Sequence, residues 1–474
     1  RPPRSTLFPY TTLFRSGSLI CYPLLTKRHV LKQKEKYAEQ AAKESVDRSA
    51  SVRCLDDNTQ ALVYRLALIE SAQRELIMTT FDMSDGESGQ DLMAAMLQAA
   101  DRGVRIRLMV DGINAWLKLE KSDLFGAFST HPNIEIRFYN PIRLTKLWKL
   151  NYRMHDKYLI ADDTAYILGG RNSNNLFLGA YRDTYNIDRD LYVLERTEKN
   201  ASDVMQKKER NSLQDIKAYF EKIWVQPDQK IFRKKETEKT KEGLALLREH
   251  YKELQTAYPE AFSETETLLT QDLIRVDSIQ FLHNPLYADE KVPVVYQRIC
   301  QEMEQGETIL IQTPYIICDK GMYQDLSELC RAGKQIEIIT NAVESGANPW
   351  GCTDYLNERK SILKTGAGVY ACMAGQSLHT KTVLIDDETS IVGSYNLDLR
   401  STYLDTELML LVKSKELNKQ LRDQAVAYQE KSAYEKAGKP SRTGSLYEKK
   451  EMSGMQKVIY SILRILIRPI REVL

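Results

Sequence analysis

Apolar and polar residues alternate with two different periods along most of this chain, and the pattern predicts helices and strands in turn. In the first half the predicted elements, in chain order, are a helix at Ala61–Ala72, a strand at Glu75–Phe81, a helix at Gly89–Arg102 and strands at Val104–Val110 and Ile134–Phe138. Gly103 follows the second helix, at a position where glycine commonly ends helices. The alternation of strand and helix indicates an α/β layer.

The second half of the chain repeats this order. Helices are predicted at Val294–Glu304 and Met322–Arg331, and strands at Thr308–Gln312 and Ile336–Thr340. The stretches AADRGVRIRLMV and LCRAGKQIEIIT occupy the same place in the two halves. Two similar halves of about 170 residues predict an internal duplication with a pseudo-twofold axis and a shared interface. Such a chain can act as a monomer that contains an internal pseudo-dimer.

Segments outside the two halves differ in composition. The predicted order is an adapter-like segment, a truncated membrane anchor or linker, the first half, a charged helical connector, the second half, and a mobile linker with a basic C-terminal helix, at residues 1–16, 17–55, 56–225, 226–275, 276–435 and 436–474. Residues 1–16 resemble a translated sequencing adapter, so we expect the natural start of the chain to be missing. The apolar run at 17–25 is too short to span a bilayer and precedes a basic run, which is typical of the end of a membrane anchor. A disordered leader is the alternative.

The last segment, Met455–Leu474, is predicted to form an amphipathic helix. Isoleucines and leucines fall on one face, basic residues lie mostly on the other, and Pro469 is expected to kink or end the helix. A helix of this kind suits an anionic membrane surface. The alternative is that its apolar stripe docks onto the core of the protein.

The net charge, the cysteine spacing and the length of the chain limit the classes of protein to which it can belong. A net charge of +2 gives no overall preference for nucleic acid, so any basic surface must be local. The seven cysteines include no CxxC pair, which argues against a zinc site or a disulfide framework. At 474 residues, two domains or one duplicated domain are expected.

One residue pattern occurs once in each half. A His is followed by a Lys two residues later, an Asp five residues after the Lys, a Gly seven residues after the Asp and an Asn three residues after the Gly. The two copies consist of His155, Lys157, Asp162, Gly169 and Asn172, and of His379, Lys381, Asp386, Gly393 and Asn396. Each copy is predicted to form a β-hairpin in which the His and Lys share one face and the Asp takes a structural position at the turn.

Two such hairpins facing each other would bring both His, both Lys, both Asn and Ser394 into one pocket. This set can bind a phosphodiester with no metal ion and no cofactor. Lys157 and Lys381 would neutralise the non-bridging oxygens. The amides of Asn172 and Asn396 and the Ser394 hydroxyl would donate hydrogen bonds where negative charge develops. One imidazole can attack phosphorus while the other protonates the leaving oxygen.

Each imidazole is expected to be oriented by a carboxylate. Asp190 and Glu407 each begin a strand-like apolar run downstream of one motif. By the logic of a catalytic triad, we predict that Asp190 accepts a hydrogen bond from His155, and Glu407 one from His379.

The doubled motif, HxKx4Dx6GSxN, is similar to the signature of the phospholipase D superfamily. GGRN at Gly169–Asn172 and GSYNLDLRSTYLDTE at Gly393–Glu407 resemble bacterial cardiolipin synthases of the short type, although Gly170 stands where the pattern has Ser. The resemblance covers roughly residues 56–435. It implies two α/β halves related by a pseudo-twofold axis, each a mixed sheet flanked by helices, with the active site at their interface.

The resemblance also implies a reaction. The family works through a covalent phosphohistidine, with His155 expected as the nucleophile and His379 as the acid, although the residues alone permit the reverse. Cardiolipin synthases transfer a phosphatidyl group to the hydroxyl group of phosphatidylglycerol or a related alcohol.

The stretch just before the first motif, PIRLTKLWKLNYR at Pro141–Arg153, interleaves basic residues with Leu, Trp and Tyr. This pattern is typical of a surface that meets an anionic bilayer. A structural loop with exposed lysines is the alternative. Together with the anchor, the pattern predicts a membrane-associated bacterial protein whose catalytic part is cytoplasmic, with anionic phospholipid rather than nucleic acid as its partner.

Two other functions are compatible with the doubled motif. A hydrolase would use water instead of an alcohol to resolve the intermediate, on phospholipid or nucleic acid. A degenerate relative would act as a membrane scaffold, but both copies of the motif contain the His, Lys, Asp and Asn that the chemistry requires.

Overall fold

A computed structural model describes residues 50–195, 211–287, 291–346 and 348–473. The adapter-like segment, the apolar run at 17–25 and the polar linker up to Ser49 lie outside these described residues.

The first half is built on a nine-stranded mixed sheet. The strands are β1 (Ser51–Leu55), β2 (Glu75–Thr80), β3 (Arg105–Asp111), β4 (Ile134–Tyr139), β5 (Tyr158–Ala161), β6 (Ala165–Gly169), β7 (Asn186–Ile187), β8 (Asp190–Leu194), β9 (Lys230–Phe232) and β10 (Ile274–Arg275). All except β7 form the sheet, in the spatial order β10-β1-β8-β6-β5-β2-β3-β4-β9. Strands β2, β3 and β4 are parallel to one another, and the other pairs are antiparallel.

The second half has a nine-stranded mixed sheet of its own. Its strands are β11 (Ser278–His283), β12 (Thr308–Gln312), β13 (Gln335–Asn341), β14 (Gly368–Cys372), β15 (Ser377–Leu378), β16 (Thr382–Ile385), β17 (Thr389–Gly393), β18 (Leu408–Lys413), β19 (Ser432–Glu435) and β20 (Arg442–Thr443). The spatial order is β11-β18-β17-β16-β12-β13-β14-β19-β20, and β15 pairs instead with β7 of the first half. Eight strands of each half follow the same spatial order: β1-β8-β6-β5-β2-β3-β4-β9 in the first half corresponds to β11-β18-β17-β16-β12-β13-β14-β19 in the second. This correspondence confirms the predicted duplication and the α/β fold class.

Helices pack against both faces of each sheet, and those at Ser212–Trp224 and Lys415–Gln429 contribute to the core shared by the two halves. They are α1 (Asn58–Ser71), α2 (Glu87–Asp101), α3 (Gly112–Lys118), α4 (Asp123–Phe128), α5 (Ser212–Trp224), α6 (Glu238–Ala257), α7 (Pro259–Phe262), α8 (Thr265–Thr270), α9 (Val294–Gln305), α10 (Lys320–Arg331), α11 (Pro349–Lys364), α12 (Leu399–Tyr403), α13 (Lys415–Gln429) and α14 (Gly454–Leu466). Short 3-10 helices span Leu147–Lys149 and Arg468–Val473.

A central apolar core joins the two halves. It contains Ile77 and Met109 from the first sheet and Leu310 and Ile339 from the second, all buried. Two further cores lie between each sheet and its outer helices. The two sheets therefore face each other across an apolar core, because alternate residues of each strand point inward, and buried polar contacts such as that of Arg189 with Gln312 also cross the interface.

The predicted helices and strands are found within a few residues of their expected positions. Gly103 and Gly333 follow α2 and α10 with φ of 98° and 91°, a conformation that glycine adopts at little cost. Helix α14 ends at Leu466, shortly before Pro469, as predicted.

Two predicted boundaries need correction. Strand β1, at residues 51–55, lies inside the first sheet rather than in a linker. The connector at 226–275 is likewise part of the first half, because its strands β9 and β10 extend the sheet and Leu247 and Leu254 of α6 are buried in the core. The many charged residues of this segment suggested a solvated connector, because its apolar residues form a stripe on only one face of α6.

The C-terminal helix docks onto the protein through only part of its apolar surface. Tyr460 and Ile467 are buried against the second half, and Arg471 forms an ion pair with Asp354 at 2.7 Å. Most of the apolar stripe of α14, by contrast, is exposed. Among the described residues, no helix combines the length and the apolar character needed to cross a bilayer.

Candidate active site

The doubled motif lies on two β-hairpins, β5–β6 and β16–β17, whose turns are held to a neighbouring strand. Asp162 and Asp386 occupy the turns with φ of 52° and 48°. The Asp162 carboxylate accepts hydrogen bonds from three successive backbone N–H groups at 73–75, at 2.8–2.9 Å. Asp386 accepts from the N–H groups at 307–308, at 2.9 and 2.8 Å. These contacts support the structural role expected for both aspartates.

The backbone beside each motif histidine pairs with the other half. Met154 forms a parallel bridge with Thr406, whose hydroxyl accepts a hydrogen bond from the His155 N–H at 3.1 Å. In the equivalent place, β7 pairs with β15, and the His379 N–H donates to the Ile187 carbonyl at 2.7 Å. The chain thus brings both histidines to the interface between the halves, and each is fixed by a segment of the opposite half.

The imidazoles take their carboxylate partners across this interface. Nδ1 of His155 lies 2.9 Å from Oε1 of Glu407, and Nδ1 of His379 lies 2.6 Å from Oδ2 of Asp188. The predicted pairing of Asp190 with His155 and of Glu407 with His379 is therefore wrong. With both Nδ1 atoms occupied, Nε2 is the reactive atom of each ring, and Nε2 of His379 also lies 3.3 Å from Nζ of Lys381.

Asp190 has a structural environment instead. It is fully buried and forms ion pairs with Arg65 of α1 at 2.8 Å and with Arg171 at 3.5 Å. These arginines neutralise a carboxylate that would otherwise be costly to bury.

The pairing register of the strands shows which acidic residues of the two halves occupy equivalent positions. Counting residues along the chain from each motif histidine did not show this. Gly169 pairs with Asp190, whereas Gly393 pairs with Met409. Two residues earlier on each strand stand Asp188 and Glu407. The distance along the chain from Gly169 to Asp188 is 19 residues and that from Gly393 to Glu407 is 14, so the loop before β8 hid the correspondence. Aligning the strands on their apolar residues would have revealed Asp188.

Two phenylalanines that sequence reasoning did not identify flank the imidazoles. Phe81 contacts the His155 ring edge-on with centroids 5.0 Å apart, and Phe177 contacts the His379 ring in the same way at 5.0 Å. Phe81 follows β2 directly and reads as one more apolar residue of that strand, so no local signal marked it. Both rings limit the rotation of their imidazole and exclude water from it.

Both motif lysines are buried beside their histidines. Nζ of Lys157 donates to the carbonyl oxygen of His155, and Nζ of Lys381 donates to that of His379 and lies 3.4 Å from Asp188. Burial lowers the pKa of Lys157 to about 7, with the Glu407 carboxyl opposing the shift, and also lowers the pKa of Lys381. A bound anion would raise both values again, because it stabilises the charged form.

The two carboxylates differ in ionisation. Burial raises the pKa of Glu407 to about 8, although the charge of Lys157 opposes it. Burial also acts to raise the pKa of Asp188, but the charges of Lys381 and His379 outweigh it and hold that pKa below its ordinary value. Asp188 is therefore an anion at neutral pH, whereas Glu407 is largely protonated.

The pKa values of the two imidazoles reflect the different charges of their carboxyl partners. Burial and the charge of Lys157 lower the pKa of His155 well below its ordinary value. Burial and Lys381 lower the pKa of His379 to about 4, but the Asp188 anion opposes that shift. Of the two rings, only His379 has an ionised carboxylate in contact to stabilise an imidazolium.

We expect the affinity for a soluble phosphodiester to fall as the pH rises above about 7, because Lys157 then loses the proton that binds the anion. The dissociation constant should rise by up to about tenfold per pH unit above the pKa. Titration calorimetry between about pH 6 and about pH 9 measures this dependence. A Lys157→Arg variant, whose guanidinium keeps its charge, should lose most of the dependence. A parent protein with constant affinity over the range would contradict the assignment.

The motif asparagines and Ser394 do not share one role. Asn172 and Asn396 are buried, and Oδ1 of each lacks a hydrogen-bond partner among the described residues. Nδ2 of Asn396 donates to the Tyr315 hydroxyl at 3.2 Å, and each unpaired Oδ1 can accept a hydrogen bond from a hydroxyl group of a ligand. The Ser394 hydroxyl instead donates to Oε2 of Glu407, so the prediction that it donates to the substrate is wrong. Ser394 fixes the carboxyl that orients His155.

Gly170, the equivalent of Ser394 in the first motif, has no room for a side chain. A Cβ atom there would lie 2.3 Å from Oδ1 of Asp188. The shorter aspartate side chain draws its carboxylate toward the backbone, into the space that the Ser394 side chain fills beside the longer Glu407. The two differences between the halves, Gly170 in place of Ser394 and Asp188 in place of Glu407, therefore compensate each other sterically.

We expect Gly170→Ser to displace the Asp188 carboxylate, to lower the free energy of unfolding by about 1–3 kcal/mol and to impair His379. Thermal unfolding and turnover measure the two effects. Gly454→Ser is a suitable control, because a Cβ at Gly454 meets no atom within 4 Å. Equal stability and activity of the two variants would refute the close approach.

The predicted basic stretch before the first motif is partly neutralised. Lys146 and Lys149 each bond to Asp228 at 2.5 Å, and Arg143 lies 3.5 Å from the same carboxylate. Arg153 is buried, with Nε 3.2 Å from Asp111. Three partly exposed cations that share one carboxylate leave a local excess of positive charge.

The assembled groups are suited to nucleophilic substitution at phosphorus. They comprise two imidazoles whose Nδ1 atoms contact carboxyl groups, two ammonium groups and two asparagine amides at one interface. Among the described residues, no three His, Cys, Asp or Glu side chains are grouped as metal ligands.

Comparisons with known proteins agree with this chemistry. A protein family described as "Cardiolipin synthase, PLD-like domain" matches residues 66–224 and 299–427, one stretch in each half. Cardiolipin synthase C of Escherichia coli strain K12 is 26% identical over 399 residues, which cover 77% of this chain and 81% of that protein. The major cardiolipin synthase ClsA of Bacillus subtilis strain 168 is 25% identical over 359 residues, which cover 76% of this chain and 64% of that protein.

A solved structure has the same fold. The phosphatidylserine synthase of Haemophilus influenzae Rd KW20 superposes on this chain with a TM-score of 0.63 at 15% identity. The superposition covers 93% of this chain and 100% of that one. At this identity the likeness concerns the fold alone.

Proposed function

The chain belongs to the cardiolipin synthase family of PLD-like domains and is thus an enzyme of the phospholipase D superfamily, and on this premise we propose that it transfers a phosphatidyl group from a phospholipid to a hydroxyl group of phosphatidylglycerol. The transfer proceeds through a phosphohistidine. Water, as the competing acceptor, would give phosphatidic acid.

One observation carries the proposal: two histidines meet at one interface, and their carboxyl partners differ in ionisation. His155 contacts Glu407, whose raised pKa leaves it largely protonated, so this ring is an uncharged nucleophile. His379 contacts the Asp188 anion, which opposes the lowering of the His379 pKa by burial, and the negative charge of a bound phosphodiester would favour the imidazolium further. This asymmetry supports His155 as the nucleophile and His379 as the acid.

The first half-reaction forms the intermediate. Nε2 of His155 attacks the donor phosphorus, and a P–N bond forms as the P–O bond to the leaving alcohol breaks. The His379 imidazolium gives its proton to the leaving oxygen. Lys157 and Lys381 neutralise the non-bridging oxygens, and Asn172 contributes its amide.

The second half-reaction reverses these roles. The neutral His379 ring takes the proton of the acceptor hydroxyl, whose oxygen attacks phosphorus and breaks the P–N bond to His155. The new phosphodiester leaves both histidines in their starting states. Transfer to an alcohol requires that water be kept out, and the Phe81 and Phe177 rings beside the imidazoles support this.

Incubation with labelled phosphatidylglycerol in mixed micelles tests the reaction. Separation of the lipids should give cardiolipin and free glycerol. Phosphatidic acid as the main product would make the enzyme a hydrolase. No lipid turnover together with cleavage of DNA would contradict a lipid substrate.

We further propose that the enzyme works at an anionic membrane surface, as a monomer whose two halves complete one site, with its catalytic part cytoplasmic. Two exposed apolar regions support this. Ile462 and Ile465 of α14 are 54% and 72% exposed. Near the three cations on Asp228, the side chains of Trp116 and Leu144 are 52% and 73% exposed. Apolar side chains beside basic ones are typical of interfacial binding.

Replacing both isoleucines of α14, Ile462→Glu with Ile465→Glu, should weaken binding to phosphatidylglycerol vesicles by at least about tenfold, because two apolar side chains no longer enter the bilayer. Vesicle co-sedimentation measures the change. Val426→Glu is the control, since Val426 is 50% exposed on a different helix. Equal binding of all three proteins would exclude α14 from the membrane contact.

A further inference from the structure

The connection between β11 and α9 has no counterpart in the first half. Two residues join β1, which ends at Leu55, to α1, which begins at Asn58. Ten residues join β11, which ends at His283, to α9, which begins at Val294. This segment, residues 284–293 or the β11–α9 loop, is therefore a feature of the second half alone.

The first residue of the β11–α9 loop, Asn284, is anchored beside the His155 half of the site; residues 288–290 of the loop lie outside the described part of the chain. At its start, the Asn284 N–H donates to the carbonyl oxygen of Glu407 at 3.0 Å, and the Asn284 side-chain amide donates to the carbonyl oxygen of Ser401 at 2.7 Å. The Ser401 hydroxyl in turn donates to Oε1 of Glu407 at 2.6 Å, the oxygen that contacts His155. The loop thus leaves β11 next to the carboxyl that orients the nucleophile.

Lys291, near the end of this loop, is buried without a partner. It is 3% exposed, and its Nζ has no hydrogen-bond acceptor among the described residues. Lys157 and Lys381, which are buried to the same degree, both donate to carbonyl oxygens. A buried ammonium group without an acceptor is costly, so its presence points to an anion that binds there.

The charges around Lys291 place it at the active-site interface. The acidic side chains that act on it electrostatically are those of Asp405, Asp156 and Glu407. None of them is within hydrogen-bond distance of Nζ. Asp405 accepts from the backbone N–H of Arg153 at 3.2 Å, two residues before His155. Lys291 therefore lies on the His155 side of the interface, and the equivalent connection of the first half, Asp56 and Asp57, contains no lysine.

We propose that Lys291 binds the non-reacting phosphodiester of the acceptor lipid. This inference rests on the proposed transfer to phosphatidylglycerol. That acceptor carries its own phosphate, separated from the attacking hydroxyl only by the carbons of one glycerol. When the hydroxyl attacks the phosphorus on His155, this second anion must lie beside the same half of the site. The lysines of the doubled motif are already engaged with the reacting phosphate, so a further cation is required.

A purely structural role for Lys291 makes a different prediction. As a counter-charge for Asp405, Asp156 and Glu407, it would support every reaction of the phosphohistidine equally. As an acceptor subsite, it would matter for an acceptor that carries a phosphate and not for a neutral one. Glycerol is such a neutral acceptor, because it offers the same hydroxyl groups without the second anion.

The test is a competition between these two acceptors for one intermediate. Unlabelled phosphatidylglycerol is incubated in mixed micelles with labelled glycerol, and the rate of cardiolipin formation is compared with the rate at which label enters phosphatidylglycerol. Lys291→Met, which keeps the length of the side chain, should lower the ratio of cardiolipin to exchange by about tenfold or more, with exchange unchanged. Lys291→Arg should keep the ratio of the parent. Lys415→Met, at a side chain that is 72% exposed, is the control.

Direct binding of glycerophosphoglycerol, the soluble headgroup diester, gives a second readout that needs no turnover. Lys291→Met should weaken it by about tenfold, whereas Lys291→Arg should not. An unchanged ratio with unchanged binding overturns the proposal, and so does an equal loss of both reactions. A parent protein that forms neither cardiolipin nor exchanged lipid would refute the proposed function instead, and the binding measurement would still decide the subsite.

Discussion

His155→Ala and His379→Ala are each expected to lower the rate of cardiolipin formation by at least about four orders of magnitude, without unfolding the protein. In the proposed mechanism His155 supplies the atom that bonds to phosphorus and His379 supplies the proton for the leaving oxygen, so both residues are required for turnover of the lipid substrate. The double variant should be no worse than the poorer single variant, because the two groups act in one transition state. Lipid product analysis over long incubations measures the residual rates.

His250→Ala is the matched control for these variants. His250 lies on α6 and contacts Asp91 at 2.7 Å and Glu253 at 3.1 Å, outside the interface between the halves. It should leave the rate unchanged. A histidine variant at position 155 or 379 that keeps more than about a tenth of the parent rate would remove that residue from the chemistry.

The two carboxyl groups should respond unequally to amide replacement. Asp188→Asn removes the anion that stabilises the His379 imidazolium and should lower kcat by about 10²–10⁴-fold, with KM little changed. Glu407→Gln should cost only about tenfold, because Glu407, with its pKa raised to about 8, is largely uncharged and an amide oxygen can still accept from Nδ1 of His155. Steady-state kinetics at neutral pH measures both.

Asp190→Asn distinguishes this arrangement from the pairing predicted by sequence. Asp190 contacts Arg65 and Arg171, so its replacement should lower the melting temperature and leave kcat per folded molecule near that of the parent. A loss of kcat equal to that of Asp188→Asn, at unchanged stability, would restore Asp190 as a catalytic partner.

Local patterns were sufficient to predict the fold. Alternation and helical periodicity located the strands and helices within a few residues, and the glycines after α2 and α10 marked their ends. The duplication followed from repeated local order, which survives in each half independently. The connector was misplaced because charged residues dominate α6 along the chain, whereas its few apolar residues, including Leu247 and Leu254, decide its packing.

Sequence reasoning predicted those parts of the site that lie within one half of the chain, but not the contacts between the halves. The His, Lys and Asp of each hairpin sit at fixed spacings on one element, so the sequence reveals them. The carboxyl partners come from the opposite half, and no spacing within one motif reports how two halves dock. Ser394 was misassigned for the same reason, since its hydroxyl faces Glu407 and not an open pocket. Lys291 lies in a loop that only one half contains, where comparison of the halves gives no signal.

A covalent intermediate on His155 is the central claim, and a substrate with a good leaving group tests it directly. The p-nitrophenyl ester of a short-chain phosphatidic acid needs no acid to expel its alcohol, so His379→Ala should release one equivalent of nitrophenolate in a burst and then stop. Denaturation in alkali, where a phosphohistidine persists, followed by peptide mass spectrometry should find the phosphatidyl group on the peptide that contains His155. His155→Ala should give neither burst nor adduct. An adduct on His379 in that variant, or the absence of any adduct in His379→Ala, would contradict the account.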